Sequence, residues 1–166
     1  MAGRHWLDAD VFIESSKGLY SLDIAESFWK WLSEQSGAGR ICSSTMIYQE
    51  IVRREGAQDA LARWVKNRRT SGMFIPPDKA VQKKYGEIAD HCVEKYSERQ
   101  AKTGKFLSGG DVWIIAHAFC DGGTVVSNEQ RVEKDCPTPK IPNVCSAFEV
   151  PCISLTDLLK KLKFKF

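Results

Sequence analysis

Short apolar runs alternate along the chain with longer stretches in which apolar residues recur at helical spacing. His5–Leu7 reads as a first strand ending at Asp8. Ile24, Phe28, Trp31 and Leu32 space a helix over Ile24–Gln35, and Gly37 and Gly39 follow as a stop. Arg40–Cys42 reads as a second strand. Ser43, Ser44 and Thr45 then offer N-caps for a helix carrying Ile47, Ile51 and Val52. Ala57–Arg68 is a further helix with Leu61, Trp64 and Val65 facing inward. Phe74–Ile75 is a short strand before Pro76-Pro77, and Asp78–Lys102 is the longest helical stretch. Gly109-Gly110-Asp111 opens an apolar, buried helix over Val112–Phe119. Thr124–Ser127 is a strand, Cys136–Pro142 a rigid Pro-rich loop, Val150–Ser154 a last strand and Leu155–Leu162 a last helix.

Strands alternating with helices predict an α/β fold around a mostly parallel sheet. With 166 residues, no internal repeat and no low-complexity segment, residues 1–166 read as a single domain. Open α/β sheets bind ligands outside the carboxyl ends of their strands, and carboxylates gather at those positions here. Asp8 and Asp10 follow the first strand, Glu50 lies on the helix after the second, Asp111 stands in the first turn of its helix, and Glu129 follows Val125-Val126-Ser127. Taken singly, each acid also reads as a helix cap or a solvated surface group. Together they repel and raise one another's pKa, a state a cation relieves. Hard oxygen ligands select Mg²⁺ or Mn²⁺ over zinc. Such an ion activates water toward phosphorus without a protein nucleophile, and with three histidines the chain offers no obvious Ser/His/Asp set.

Composition adds where such an ion's substrate would lie. The chain is 43% hydrophobic and 27% charged, ordinary for a globular protein. No run approaches the ~20 apolar residues of a membrane span, and no apolar signal core precedes Asp8, so a cytoplasmic protein is expected. The net charge of +3 is unevenly spread. Residues 1–52 carry four basic and seven acidic side chains, residues 53–105 thirteen and seven, and residues 106–166 seven of each. An acidic first third suits metal and a basic middle suits a phosphate backbone; a solvated helical surface is the plainer account of the charge alone. The six cysteines form no CxxC pair and read as small buried residues, with His117 and Cys120 too isolated for a metal site. The alternating Lys160–Phe166 tail reads as the basic end of a helix packing Leu158, Leu159 and Leu162.

These acidic segments resemble the motifs of PIN-domain ribonucleases. Leu7-Asp8-Ala9-Asp10-Val11-Phe12-Ile13 resembles the family's opening, Tyr48-Gln49-Glu50-Ile51 its second acidic motif, Gly110-Asp111-Val112-Trp113-Ile114-Ile115-Ala116 its third and Val125-Val126-Ser127-Asn128-Glu129 its fourth. Lys140-Ile141-Pro142-Asn143-Val144-Cys145 with Val150-Pro151-Cys152 is similar to a bacterial subfamily associated with toxin–antitoxin pairs. The resemblance implies a three-layer α/β/α sandwich on a four- to five-stranded parallel sheet. It implies Mg²⁺- or Mn²⁺-dependent endoribonuclease activity, an RNA substrate, an antitoxin partner and possible pairing into a homodimer. Asp8, Glu50, Asp111 and Glu129 match the metal-binding and catalytic acids, and Ser127 matches a hydroxyl that orients them. Ala9 departs from the usual Thr, Glu129 from Asp, and Asp10 from Asn or Ser, which adds a charge for a further metal contact. Arg53, Arg54, Arg63, Lys66, Arg68 and Arg69 then become candidates for lining an RNA groove, with Tyr48 and Trp64 either stacking on bases or packing in the core.

Two rivals remain. Asp8-Ala9-Asp10-Val11 also fits the DxD of a haloacid-dehalogenase-like phosphatase, with Asp8 as nucleophile, Asp10 as acid/base and Thr45 as its hydroxyl. That family needs an acid three to five residues after the later Asp, and Val-Trp-Ile-Ile-Ala follows Asp111 instead. The other rival is a PIN-like module that binds RNA or protein without cutting.

Overall fold

The computed structural model describes residues 3–133 and 136–165; Phe166, the end of the basic tail, lies outside them. Five short strands form the sheet: β1 (His5–Leu7), β2 (Ile41–Ser44), β3 (Phe74–Ile75), β4 (Thr124–Val126) and β5 (Cys152–Ile153). All are parallel, in the order β3-β2-β1-β4-β5. The α/β fold with a parallel sheet is as the residue pattern predicts, and five strands in an arrangement consistent with a three-layer sandwich are as the resemblance implies.

The described helices are α1 (Ala9–Lys17), α2 (Glu26–Gly37), α3 (Thr45–Glu55), α4 (Ala60–Lys66), α5 (Lys79–Lys95), α6 (Gln100–Ser108), α7 (Asp111–Asp121), α8 (Ile141–Ala147) and α9 (Leu155–Lys161). From β1 the chain builds outward to β2 and β3, then returns to the other side of β1 for β4 and β5. Right-handed crossovers in opposite directions place their helices on opposite faces. They also open a crevice between β1 and β4, where the strand order reverses. Trp6 pairs with Val125 and Leu7 with Val126, and the Asp8 N–H continues the ladder to the Val126 carbonyl at 3.1 Å. The strand ends carrying Asp8 and Ser127 are therefore side by side.

Aromatic packing anchors one flank. Trp29 and Trp64 meet edge to face at 4.8 Å, Phe12 touches Trp64 and Phe74, and Phe164 of the tail sits against Trp31 at 5.1 Å. Trp64 is 9% exposed and so fills the core rather than presenting a stacking face.

Four elements differ from the sequence expectation. Helix α1 starts directly after β1, a helix that short apolar spacing did not reveal; Asp8 caps it, its Oδ1 accepting the Val11 N–H at 3.0 Å. Ile24 precedes α2 and is 80% exposed, while Trp29 takes its place in the core. The long helix ends at Lys95. Tyr96 is buried out of helical geometry (φ −109°, ψ 32°), its carbonyl accepts the Thr103 hydroxyl, and a 3₁₀ turn at Ser97–Arg99 redirects the chain into α6. The Pro-rich loop ends early, because Pro142 lies in the first turn of α8, where its missing N–H costs nothing.

Candidate active site at the carboxyl edge

Each candidate acid is set by a local feature of its element. Asp8 ends β1, caps α1 and is 1% exposed. Capping uses Oδ1; the buried Oδ2 has no hydrogen-bond partner. The Ser127 hydroxyl lies beside this carboxylate and favours its charged form, without a well-formed bond to Oδ2. Ser127 itself is buried at the end of β4, and its Oγ accepts the Glu129 N–H at 3.1 Å. Burial pushes the Asp8 carboxyl up to about 7, against the pull of Ser127 and the Val11 N–H and with a further push from Asp10 and Glu129.

Asp111 opens α7, where the helix dipole favours a negative charge. Burial and then the charges of Asp8, Glu50, Glu129 and Asp10 outweigh that preference and push its carboxyl up to about 8. No hydrogen bond or ion pair reaches its side chain among the described residues.

Glu50 is bound into the scaffold. Its Oε2 accepts the Gly110 N–H at 2.8 Å and its Oε1 accepts Arg54 Nη1 at 3.2 Å. The first bond ties α3 to the start of α7 and fixes where Asp111 stands. Gly110 permits it: a Cβ there would come within 2.3 Å of Ile47 and 2.8 Å of Glu50 Oε2. Arg54 also donates to Asp10 Oδ1 at 3.2 Å. Glu129 is turned partly away, Oε2 accepting the Ile141 N–H at 2.8 Å.

Four of the acids, Asp10, Glu50, Asp111 and Glu129, line a cleft of about 650 Å³ together with Lys102, Lys105 and Lys140. Arg53 and Arg54 complete the rim. Arg53, Lys102, Lys105 and Lys140 have no ion-pair partner among the described residues. Of the six cations expected to line an RNA groove, the structure brings only Arg53 and Arg54 to this cleft. Arg63, Lys66, Arg68 and Arg69 are not part of its lining. Arg68 is occupied elsewhere: its guanidinium lies 3.8 Å from the Trp64 ring centre and donates to Ser33 Oγ at 2.8 Å. Sequence reasoning missed the lysines of α6. Their signal was present, two cations three apart just ahead of Gly109-Gly110-Asp111, but a continuous helix to Lys102 would have aimed them elsewhere. The three lysines and Arg53 put positive charge with no ion-pair partner among the described residues into the lining of this cleft.

Among the described residues, no three His, Cys, Asp or Glu side chains converge as a preformed metal-ligand set. The site is compatible with a hard divalent cation even so. Mg²⁺ typically takes one or two carboxylates directly and completes its shell with water and phosphate oxygens, and the orphaned Asp8 Oδ2 beside the unpartnered Asp111 supplies that number. No described helix is long and apolar enough to cross a membrane.

A family profile described as a domain of unknown function, DUF4411, matches residues 5–166. The chain belongs to this family. No curated protein and no solved structure matches it. The family's span takes in the whole acidic edge, from β1 through α9, so the sheet and its cleft are one family unit.

Proposed function

We propose that this DUF4411 chain is a Mg²⁺- or Mn²⁺-dependent endoribonuclease of PIN-like type. The observation that carries the reading is the buried Asp8, whose Oδ2 has no hydrogen-bond partner, and the half-buried, unpartnered Asp111 at the switch point of a parallel sheet, where Asp111 lines a cleft together with Lys102, Lys105 and Lys140. Asp8 and Asp111 would hold the ion, with the second oxygen of Glu129 free toward the same edge, and Glu50 braces the start of α7 through the Gly110 N–H. The chemistry such an ion would supply there is polarisation of a phosphoryl oxygen and a lowered pKa for neighbouring water. Lys102, Lys105, Lys140 and Arg53 hold the flanking phosphates so that one phosphodiester lies over the acids. Ser127 keeps Asp8 and the Glu129 backbone in register. The motif order adds the biological setting, a toxin held in check by a small antitoxin partner.

The deciding experiment incubates the purified protein with single-stranded RNA and Mn²⁺ or Mg²⁺. Cleavage is expected with either ion, lost on chelation and in Asp8→Asn and Asp111→Asn. Undiminished cutting by both variants would sink the reading. Hydrolysis of a small phosphomonoester, lost in Asp8→Asn, would favour the phosphatase. Tight RNA binding without turnover would favour a non-catalytic module.

A further inference from the structure

The carboxylates at this edge fall into two unequal groups. Asp8 Oδ2 is buried without a partner, and among the described residues the Asp111 side chain makes no hydrogen bond or ion pair. Asp10 and Glu50, in contrast, are bridged by one guanidinium nitrogen. Arg54 Nη1 stands 3.2 Å from Asp10 Oδ1 and 3.2 Å from Glu50 Oε1. Glu50 has its remaining oxygen on the Gly110 N–H, so neither of its oxygens is vacant.

The bridge follows from the sequence of α3. Arg54 comes four residues after Glu50, which puts both on one helical face. That face meets the first turn of α1, where Asp10 stands. A guanidinium cannot lose its charge in a protein. It puts a fixed positive charge between two carboxylates that a second divalent ion would otherwise neutralise. Arg54 thus supplies by covalent attachment the positive charge that a second ion would supply by binding.

Building on the metal-site reading, we infer that Arg54 is the resident counter-ion of the cluster: the edge takes one divalent ion, at Asp8 and Asp111, and Arg54 excludes a second from Asp10 and Glu50. Asp10, the residue that departs from the motif it resembles, then serves to hold Arg54 rather than to ligate metal. The substitution that adds an acid and the arginine that neutralises it belong to one device.

The test is Mn²⁺ stoichiometry, read by electron paramagnetic resonance of free Mn²⁺ during titration of the metal-free full chain. The wild-type protein is expected to bind one Mn²⁺, with affinity weakened at least about tenfold in Asp111→Asn. Arg54→Gln is expected to bind two, and the double variant Arg54→Gln/Asp10→Asn one again. Asp10→Asn alone is expected to keep the single ion at unchanged affinity, a result that does not depend on the arginine variant folding. Two ions in the wild-type chain, or one ion in Arg54→Gln, overturns the inference about Arg54 while a loss in Asp111→Asn still upholds the metal site. Loss of the single ion in Asp10→Asn overturns it as well, by making Asp10 a ligand. No Mn²⁺ bound by any variant overturns both readings.

Discussion

Helix α7 begins and ends on an aspartate, and the two are treated oppositely. Asp121, at the last position of the helix, accepts the Arg4 N–H at 3.0 Å, Arg4 Nη2 at 2.8 Å and Trp6 Nε1 at 3.0 Å. Burial pushes its carboxyl up, but these donors outweigh burial and hold it below the usual carboxylate value. Asp111, at the first position, has no such donors, and burial and neighbouring acids raise it to about 8. The same contrast runs along β1, with Arg4 before its first residue and Asp8 after its last. Where the chain needs an acid for architecture it surrounds the acid with donors. At the carboxyl edge Asp8 Oδ2 and Asp111 have none, although unsatisfied carboxylates out of water destabilise a fold. A group kept in that state marks a place where a ligand completes the structure.

The comparison breaks most visibly in activity. Asp111→Asn is expected to lower Mn²⁺-dependent RNA cleavage by about 10²-fold or more, while Asp121→Asn leaves cleavage per folded molecule unchanged. Equal losses at the two ends of α7 would erase the distinction. Stability should respond in reverse. Asp121→Ala is expected to cost about 1–3 kcal/mol in urea unfolding, the range for hydrogen bonds to charged groups. The lower half is favoured because the Arg4 and Asp121 side chains are 37% and 20% exposed and solvent screens the pair. Asp111→Asn should instead stabilise the metal-free protein, by about 1 kcal/mol or more at pH 8 to 9.

The pH profile sharpens the same point. Asp8 and Asp111 have folded pKa values of about 7 and about 8, above the ordinary 3.8. The folded state therefore holds protons the unfolded state releases. Their stabilising contribution is full below about pH 3.8 and is lost as pH rises through 7 and 8. Metal-free protein should lose melting temperature over that window and regain it with Mg²⁺; a flat profile would show that the acids have partners after all. The smallest effect lies with His117, in the interior part of α7, stacked on Trp6 at 4.5 Å. Burial lowers its pKa to about 4 from 6.5. The stability it contributes is present above pH 6.5 and lost as pH falls toward 4. His117→Phe keeps a ring against Trp6 and should flatten that acidic limb, leaving the alkaline one untouched.

Much of this was legible in the residues. The strand at His5–Leu7, the caps before α3 and the glycines before Asp111 follow from local propensity, so the alternation that fixes an α/β fold is written locally. So was the placement of Asp8, Glu50, Asp111 and Glu129 at one edge, because parallel strands send their following residues to the same side. The structure adds what local spacing does not contain. Nothing in the order of residues says that Trp64 is enclosed by Trp29 and Phe12, or that Arg68 lies against it, because these contacts join elements far apart in sequence. The break at Tyr96 was hidden too, since a helical stretch continues on either side of it, and only packing made burial of Tyr96 outweigh another turn of helix. Beyond that break Lys102 and Lys105 line the same cleft as the acids.

The sequence by itself determined which acids are present, where in the chain they fall and that a parallel sheet collects them. The tertiary structure decided how they differ. Asp8 Oδ2 and the Asp111 carboxylate are left without a hydrogen-bond partner, although Asp8 Oδ1 caps α1 through the Val11 N–H. Glu50 and Asp10 are neutralised because α3 and α1 meet with Arg54 between them, and Asp121 is satisfied because the start of β1 supplies Arg4 and Trp6. Charge is a property of a residue, but the cost of leaving it uncompensated depends on burial and on donors from other segments, and only the folded chain sets those.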